Sequence, residues 1–291
     1  MIVGLFPGQG IPARTVLEAL PSDDPLLASA RDVLGYDLRR KVEIAARRKG
    51  AMLPTSLAQP AIFTASLISF RRAEANGRTF DCFVGHSLGE YSALVAAGAL
   101  GFEHALRCVA VRAEAMQTAS RASHGGMAAI LGLDLDVVEG LARASGAEVA
   151  NDNAPAQAVI AGPEDRLAEA AAMARSHGGR SVLLEVSGPF HTAAMAPARP
   201  MLSRALEKAD IGAPRVPVVA NVTARPHGQA HEIAALLVDQ LCERVRFRES
   251  LEWLWEAGAR EHEDLGPGRV VAGLAQRTFA RMRSEEVEVH A

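Results

Sequence analysis

Val84-Gly85-His86-Ser87-Leu88-Gly89-Glu90 places a serine with a glycine two residues away on either side. Phe80, Cys82, Phe83 and Val84 run into it as a buried strand with little charge. Residues 90–100 (EYSALVAAGAL) leave it as a helix, with Leu94, Val95, Ala97 and Leu100 apolar. G-x-S-x-G in that setting is a nucleophile elbow, a sharp strand-to-helix turn that lifts a serine hydroxyl out of the packed interior. Side chains at Gly85 and Gly89 would collide where strand and helix pass close together. The turn also aims main-chain N–H groups at the helix start, where a developing oxyanion is held. Glu90 and Tyr91 read as helix surface and packing, without a chemical role.

Outward from the elbow, Ile2–Phe6 reads as a short buried strand ended by Pro7-Gly8-Gln9-Gly10. Helical stretches and loops follow to residue 76, including an apolar helix over 57–70, and another helix covers 103–119. That alternation predicts an α/β domain with a mainly parallel sheet. The rhythm changes after His124-Gly125-Gly126. Strand 127–133, helix 135–144, strands 147–151 and 158–161, helix 164–177 and strand 181–186 follow in order. This β-α-β-β-α-β succession is the ferredoxin-like arrangement. The expected organisation is a large α/β unit from 1–125 and 188–291, with a small ferredoxin-like unit, 126–187, inserted. After Gly188-Pro189-Phe190-His191 come a helix near 196–209, a strand at 216–220 and helices at 233–241 and 247–257. Leu265-Gly266-Pro267-Gly268 then leads to a tail that is charged from Arg281 onward and reads as frayed.

At 291 residues, half of them hydrophobic, the chain can bury a sizeable core. A formal net charge of −3 and scattered basic residues point away from nucleic acid and polyanionic partners. Arg39–Lys41 and Arg47–Lys49 read as a solvated helix face. Cys82, Cys108 and Cys242 lie far apart, fit no metal spacing and leave an odd thiol, as suits a reducing cytoplasm. The first residues lack a basic start and break at Pro7-Gly8, and no run is long enough to span a bilayer. A cytoplasmic monomer, without membrane or nucleic-acid contacts, is expected.

A serine is a weak nucleophile at neutral pH and needs a base. Of nine histidines, His86 sits on the elbow, where its ring should point away from the hydroxyl. His104, His177, His227, His231, His262 and His290 lie among polar residues and read as surface, and His124 lies in a glycine-rich linker. His191 follows a Gly-Pro turn and Phe190 at the junction of the two units. Spacing alone puts it only modestly ahead of its rivals. Arg112, a lone charge on an apolar helix face, reads by itself as a snorkelling or salt-bridged side chain. Asn151, Asn153 and Gln157 read equally well as turn and strand residues. Gln59 is a helix residue that either packs or faces the site. Asp152 and Asp264 look like loop residues, not a third triad member.

Phe6-Pro7-Gly8-Gln9-Gly10, Gly85-His86-Ser87-Leu88-Gly89-Glu90-Tyr91, Arg112 with Met116-Gln117, Asn151-x-Asn153-x-Pro155-x-Gln157, Phe190-His191, Asn221-Val222 and Gly266-Pro267-Gly268 occur in that order. Together they resemble the malonyl-CoA:acyl carrier protein transacylase family, which includes the acyltransferase domains of polyketide synthases. The resemblance covers nearly the whole chain. It implies a hydrolase-like parallel-sheet core with a ferredoxin-like insert. Ser87 would then be the nucleophile and His191 its general base, with the N–H groups of Gln9 and Leu88 forming the oxyanion hole. The family orients its histidine with a main-chain carbonyl near a late helix start, which here falls on Arg246, where other members carry glutamine. Arg112 would grip the free carboxylate of malonyl, and Gln59, Asn153 and Phe190 would line the substrate site. Phenylalanine before the histidine goes with malonyl more than methylmalonyl in the polyketide enzymes. Ile11-Pro12 replaces the family's usual serine and glutamine after Gly10.

The resemblance implies malonyl transfer from CoA to the phosphopantetheine thiol of an acyl carrier protein, with no metal or tightly bound cofactor. The setting would be fatty acid or polyketide biosynthesis, or a malonate decarboxylase system. Two other classes compete. An acyl hydrolase acting on carrier-protein thioesters has no use for Arg112, and a non-catalytic carrier-binding module has none for both Ser87 and His191.

Overall fold

The computed structural model describes residues 1–289; His290, expected at the surface, lies outside them. In chain order the first half forms β1 (Ile2–Phe6), α1 (Ala13–Glu18), α2 (Pro25–Leu34), α3 (Leu38–Ala46), α4 (Thr55–Ala75), β2 (Cys82–Gly85), α5 (Gly89–Ala96) and α6 (Phe102–Ser123). Then come β3 (Gly125–Leu131), α7 (Leu135–Ser145), β4 (Glu148–Ala154), β5 (Gln157–Pro163), α8 (Glu164–Ser176) and β6 (Arg180–Leu183). A 3-10 segment (Ala193–Ala198), α9 (Arg199–Leu206), β7 (Val218–Val219), α10 (Ala230–Asp239), β8 (Val245–Arg246), α11 (Phe247–Glu256), β9 (Glu261–Asp264) and α12 (Val270–Val289) complete it.

The strands make two sheets. The first, in the order β7-β2-β1-β9, is parallel throughout. Its inner strands are apolar without alternation because helices cover both faces. Val3, Leu5, Cys82, Val84 and Val219 pack with Phe247, Leu251 and Trp255 of α11 and Leu274 of α12. Phe6, Phe83 and Val218 face the opposite way, into the core that includes α4, α5 and α6. There the Phe6–Phe70, Phe6–Phe83 and Phe70–Phe83 ring centroids lie 6.2, 5.8 and 5.5 Å apart.

The second sheet runs β6-β3-β5-β4-β8, antiparallel except for the parallel pairing of β4 with β8. Ala128, Ile130 and Ile160 pack with α7 and α8, while Met127, Ala129 and Val159 turn the other way. This period of two gives the sheet one helix-covered face and one face toward the rest of the molecule.

Three features differ from the sequence reading. β8, two residues from beyond the inserted segment, joins the second sheet as a fifth strand, with Asn151 opposite Val245 and Asp152 opposite Arg246. Glu261-His262-Glu263-Asp264, which carries no apolar signal, is strand β9, an edge held against β1 by main-chain pairing. The tail from Arg281 is helical through Val289 rather than frayed, because Trp255 Nε1 donates to Glu286 at 2.6 Å and Arg260 pairs with the same carboxylate at 3.0 Å. Among the described residues, no helix is long and apolar enough to cross a membrane.

Candidate active site

The elbow stands at the carboxyl end of β2, inside the parallel sheet, where open α/β sheets place their ligands. Ser87 has φ of +51°, a left-handed conformation that a non-glycine residue adopts at a cost. The flanking glycines leave room for it. A Cβ on Gly85 would lie 1.9 Å from the Gly89 carbonyl carbon, and one on Gly89 would lie 2.2 Å from the Phe6 oxygen. Asn221, just after β7, clamps the turn from the side. Its Oδ1 accepts the Ser87 N–H at 2.7 Å, and its Nδ2 donates to the Gly85 carbonyl at 2.6 Å.

Ser87 Oγ lies 2.8 Å from His191 Nε2. The other ring nitrogen, Nδ1, lies 2.7 Å from the Gln240 main-chain oxygen. A carbonyl only accepts, so Nδ1 carries the hydrogen and Nε2 is left bare toward the serine. Burial and the nearby Arg112 charge push the His191 pKa down to about 3. The ring is thus a neutral acceptor at physiological pH, the form that a general base requires.

Arg112, 1% exposed, reaches the same point from α6. Nη1 donates to Gln59 Oε1 at 2.8 Å, and Nη2 donates to Gln240 Oε1 at 2.8 Å and to Ser87 Oγ at 3.0 Å. Its Nε–H has no partner among the described residues. Burial lowers its pKa, yet each of these acceptors is uncharged. Glu90, one amide away, favours the charge but does not bond to it, and burial outweighs that help, so an incoming anion would relieve the remaining cost.

These groups open on a cavity of about 420 Å³ lined by the loops after β1 and β2 and by strands of the second sheet, with Gln9, Ser87, Arg112, Asn153, Phe190 and His191 on its wall. Larger surface clefts of about 620 and 820 Å³ hold mixed charges but neither Ser87 nor His191. Among the described residues, no group of three or more His, Cys, Asp or Glu side chains is arranged to hold a metal ion.

The family described as acyl transferase domain matches residues 14–289. The chain belongs to that family. It is 36% identical over 293 residues to the malonyl CoA-acyl carrier protein transacylase of Bacillus subtilis, covering 97% of this chain and 92% of that protein. It is 40% identical over 280 residues to the polyketide biosynthesis protein ThaF of Burkholderia thailandensis, covering 94% of this chain and 24% of that protein. A solved complex of a type II polyketide synthase acyl carrier protein with its malonyl-transacylase superposes with a TM-score of 0.86 at 35% identity, covering 96% of this chain and 93% of that one.

In this acyl transferase the residues singled out by sequence gather around one cavity. Gln9, Gln59, Ser87, Leu88, Arg112, Asn153, Phe190 and His191 all line it. The Gln9 and Leu88 main-chain N–H groups have no acceptor among the described residues, while the Gln9 side chain donates to Thr55 at 3.0 Å. Asn153 Oδ1 lies 2.7 Å from His86 Nε2, so the His86 ring points away from the serine, its edge against Phe247. Asp152 pairs with Arg248 at 3.0 Å, and Asp264, the last residue of β9, accepts from Ala272 N–H at 3.3 Å.

Arg246 does not orient the histidine. Its carbonyl accepts from Ser250 Oγ at 2.8 Å, and its side chain pairs with Glu249. The carbonyl on His191 belongs to Gln240, which caps the C-terminus of α10. Helix ends leave carbonyls without intrahelical partners, so this one is free to hold a ring nitrogen. Glu90, Tyr91 and His227, read as surface or simple packing, are buried, and Glu90 and His227 are bonded to each other at 2.8 Å. His262 is half-buried against Phe279.

Proposed function

We propose that this chain is a malonyl-CoA:acyl carrier protein transacylase working through a Ser87 acyl-enzyme. The observation that carries the reading is the Arg112 guanidinium, buried beside the Ser87 hydroxyl with only neutral acceptors. Its planar fork matches a carboxylate, so the distal carboxylate of malonyl supplies the direct ionic partner that the protein does not. An acetyl group would leave that charge unpaired.

In the first half-reaction Ser87 Oγ attacks the thioester carbonyl carbon while His191 Nε2 accepts the hydroxyl proton. The new C–O bond forms, the C–S bond breaks, and the proton passes from His191 to the departing CoA sulfur. The carrier's phosphopantetheine thiol then gives its proton to His191, its sulfur attacks the malonyl ester, and Ser87 recovers the proton. The reaction as written consumes no cofactor. Gln9 and Leu88 N–H groups hold the oxyanion in both halves; losing one such donor costs about 3 kcal/mol of barrier. The Gln240 carbonyl keeps His191 in the required tautomer. Phe190, 5% exposed on the cavity wall, crowds an α-methyl branch and favours malonyl over methylmalonyl.

The names of the Bacillus subtilis relative and of the carrier-protein complex support this chemistry. Likeness to ThaF favours polyketide assembly as a second setting for the same transfer. The catalytic unit, 1–125 and 188–291, is hydrolase-like, and 126–187 is its ferredoxin-like insert; the strand order β6-β3-β5-β4 with α7 and α8 on one face supports that division.

The test is intact-protein mass spectrometry after mixing with equal malonyl-CoA, methylmalonyl-CoA and acetyl-CoA, then with a holo carrier protein. The expected result is a malonyl adduct that moves to the carrier and is absent from Ser87→Ala. An acetyl adduct alone, or CoA release with no adduct and no carrier loading, would overturn the proposal.

A further inference from the structure

Behind Ser87 and His191 lies a second layer of polar groups that the transfer chemistry does not use. Glu90, in the first turn of α5, is 1% exposed. Its Oε2 accepts from Gln240 Nε2 at 2.7 Å and from the Asn221 main-chain N–H at 3.0 Å. Its Oε1 lies 2.8 Å from His227 Nε2. The His227 ring is enclosed as well, and its Nδ1 has no partner among the described residues. Its contact with Glu90 is therefore the only polar contact of that ring found there.

Gln240 joins this layer to the reacting groups at three points. Its main-chain oxygen holds His191, its Oε1 accepts from Arg112, and its Nε2 donates to the Ser87 carbonyl at 3.0 Å as well as to Glu90. The two ends of a primary amide have nearly the same shape, so packing alone does not decide which end faces the arginine. Glu90 decides it. A carboxylate only accepts, so the NH₂ end of Gln240 must face Glu90, and the oxygen end is left for Arg112. Turned over, the amide would set oxygen against carboxylate and NH₂ against guanidinium. Each hydrogen bond of the amide would become a repulsion, the strongest of them against the Glu90 charge.

We infer that Glu90 is a positioning residue: it fixes the polarity of the Gln240 amide, and through it the aim of Arg112 and the seat of the carbonyl that holds His191. His227 keeps Glu90 in that orientation, because an enclosed carboxylate needs a donor on each oxygen. The inference rests on the malonyl reading in taking Arg112 as the partner of the acyl carboxylate.

Three variants test it: Glu90→Met removes the acceptor at similar volume, Glu90→Gln can still turn an oxygen to Gln240 and its NH₂ to His227, and His227→Leu removes the donor. Each is compared with the native chain for malonyl and acetyl labelling by intact mass, for KM and kcat of malonyl transfer, and for Tm. Glu90→Met is expected to raise KM for malonyl-CoA about tenfold and to cut the malonyl-over-acetyl ratio about tenfold, with a smaller loss in kcat. His227→Leu moves both the same way by about threefold, and Glu90→Gln keeps the ratio within about threefold of native. A purely structural role would lower Tm and yield without moving the ratio. A folded Glu90→Met with the native ratio and KM overturns the inference. If that variant does not fold, His227→Leu decides alone, and an unchanged ratio there overturns it. A native chain that takes no malonyl group sinks the malonyl reading instead, whatever the variants do.

Discussion

His191 Nδ1 is held at 2.7 Å by the Gln240 main-chain oxygen, a partner that carries no charge. Such a partner fixes the tautomer without stabilising an imidazolium as an aspartate would. Burial and the Arg112 charge outweigh the upward pull of that bond and keep the ring neutral far below its ordinary range, with a pKa of about 3. A base whose pKa is lowered stays in its working form as pH falls. The rate of Ser87 acylation, followed by quench-flow mass spectrometry, is therefore expected to stay flat from pH 8 to about pH 5. A twofold fall centred between pH 6 and 7 would contradict it.

Arg112 offers a sharper test of substrate class. Arg112→Leu removes the cation from a pocket that otherwise holds neutral acceptors, so malonyl loses its partner and acetyl loses its penalty. Malonyl labelling should fall by about 10²–10³-fold while acetyl labelling rises, read in one competition by intact mass. Arg112→Lys keeps the charge but not the fork, and belongs between native and Arg112→Leu. Equal malonyl labelling in all three would remove Arg112 from substrate recognition.

The last turns of α12 are tied down at Trp255, whose indole meets Glu286 and carries the Arg260 guanidinium 3.8 Å over its ring. Ending the chain before Arg281 is expected to lower stability by about 1–3 kcal/mol in urea unfolding, with the labelling pattern unchanged. A frayed tail would cost nothing, so an unchanged midpoint would count against those contacts.

Asp264 Oδ1 is buried without a hydrogen-bond partner among the described residues, and burial pushes this carboxyl up to about 7. A folded-state pKa above the unfolded value means that the native state binds the proton more tightly. The contribution to stability is full below about pH 4 and is lost as pH rises through 7. Asp264→Asn supplies a neutral amide at every pH. Its Tm is expected to gain on the native protein between pH 5 and 8 and to lose that gain at pH 4. A difference independent of pH would mean that the carboxyl does not titrate there.

Much of the chemistry was legible in the sequence because side chains carry it. Ser87 stands out through two glycines that sterics demand, whereas Arg112 by itself reads as a snorkelling side chain and takes a substrate role only from the family resemblance. The partner of His191 was not legible, since any residue type can present a carbonyl. The reading tied that role to Arg246 at a helix start, whereas a helix end supplies it. Glu90 and His227 were misread because each looks solvated among its neighbours in sequence. They bury each other only when the chain brings α5 against the loop after β7, 137 residues apart in sequence. In the fold, the parallel sheet follows from its apolar runs and the second sheet from its alternation. β8 is too short to leave a pattern, and β9 is a charged edge held by its main chain.

β8 has a mechanical consequence. It belongs to the second sheet through β4, and the Arg246 N–H donates to the Asn221 carbonyl at 2.9 Å, on the residue whose side chain grips the Ser87 turn. Main chain thus ties the second sheet to the residue that clamps the Ser87 turn. Rocking one sheet against the other would pull on the elbow itself.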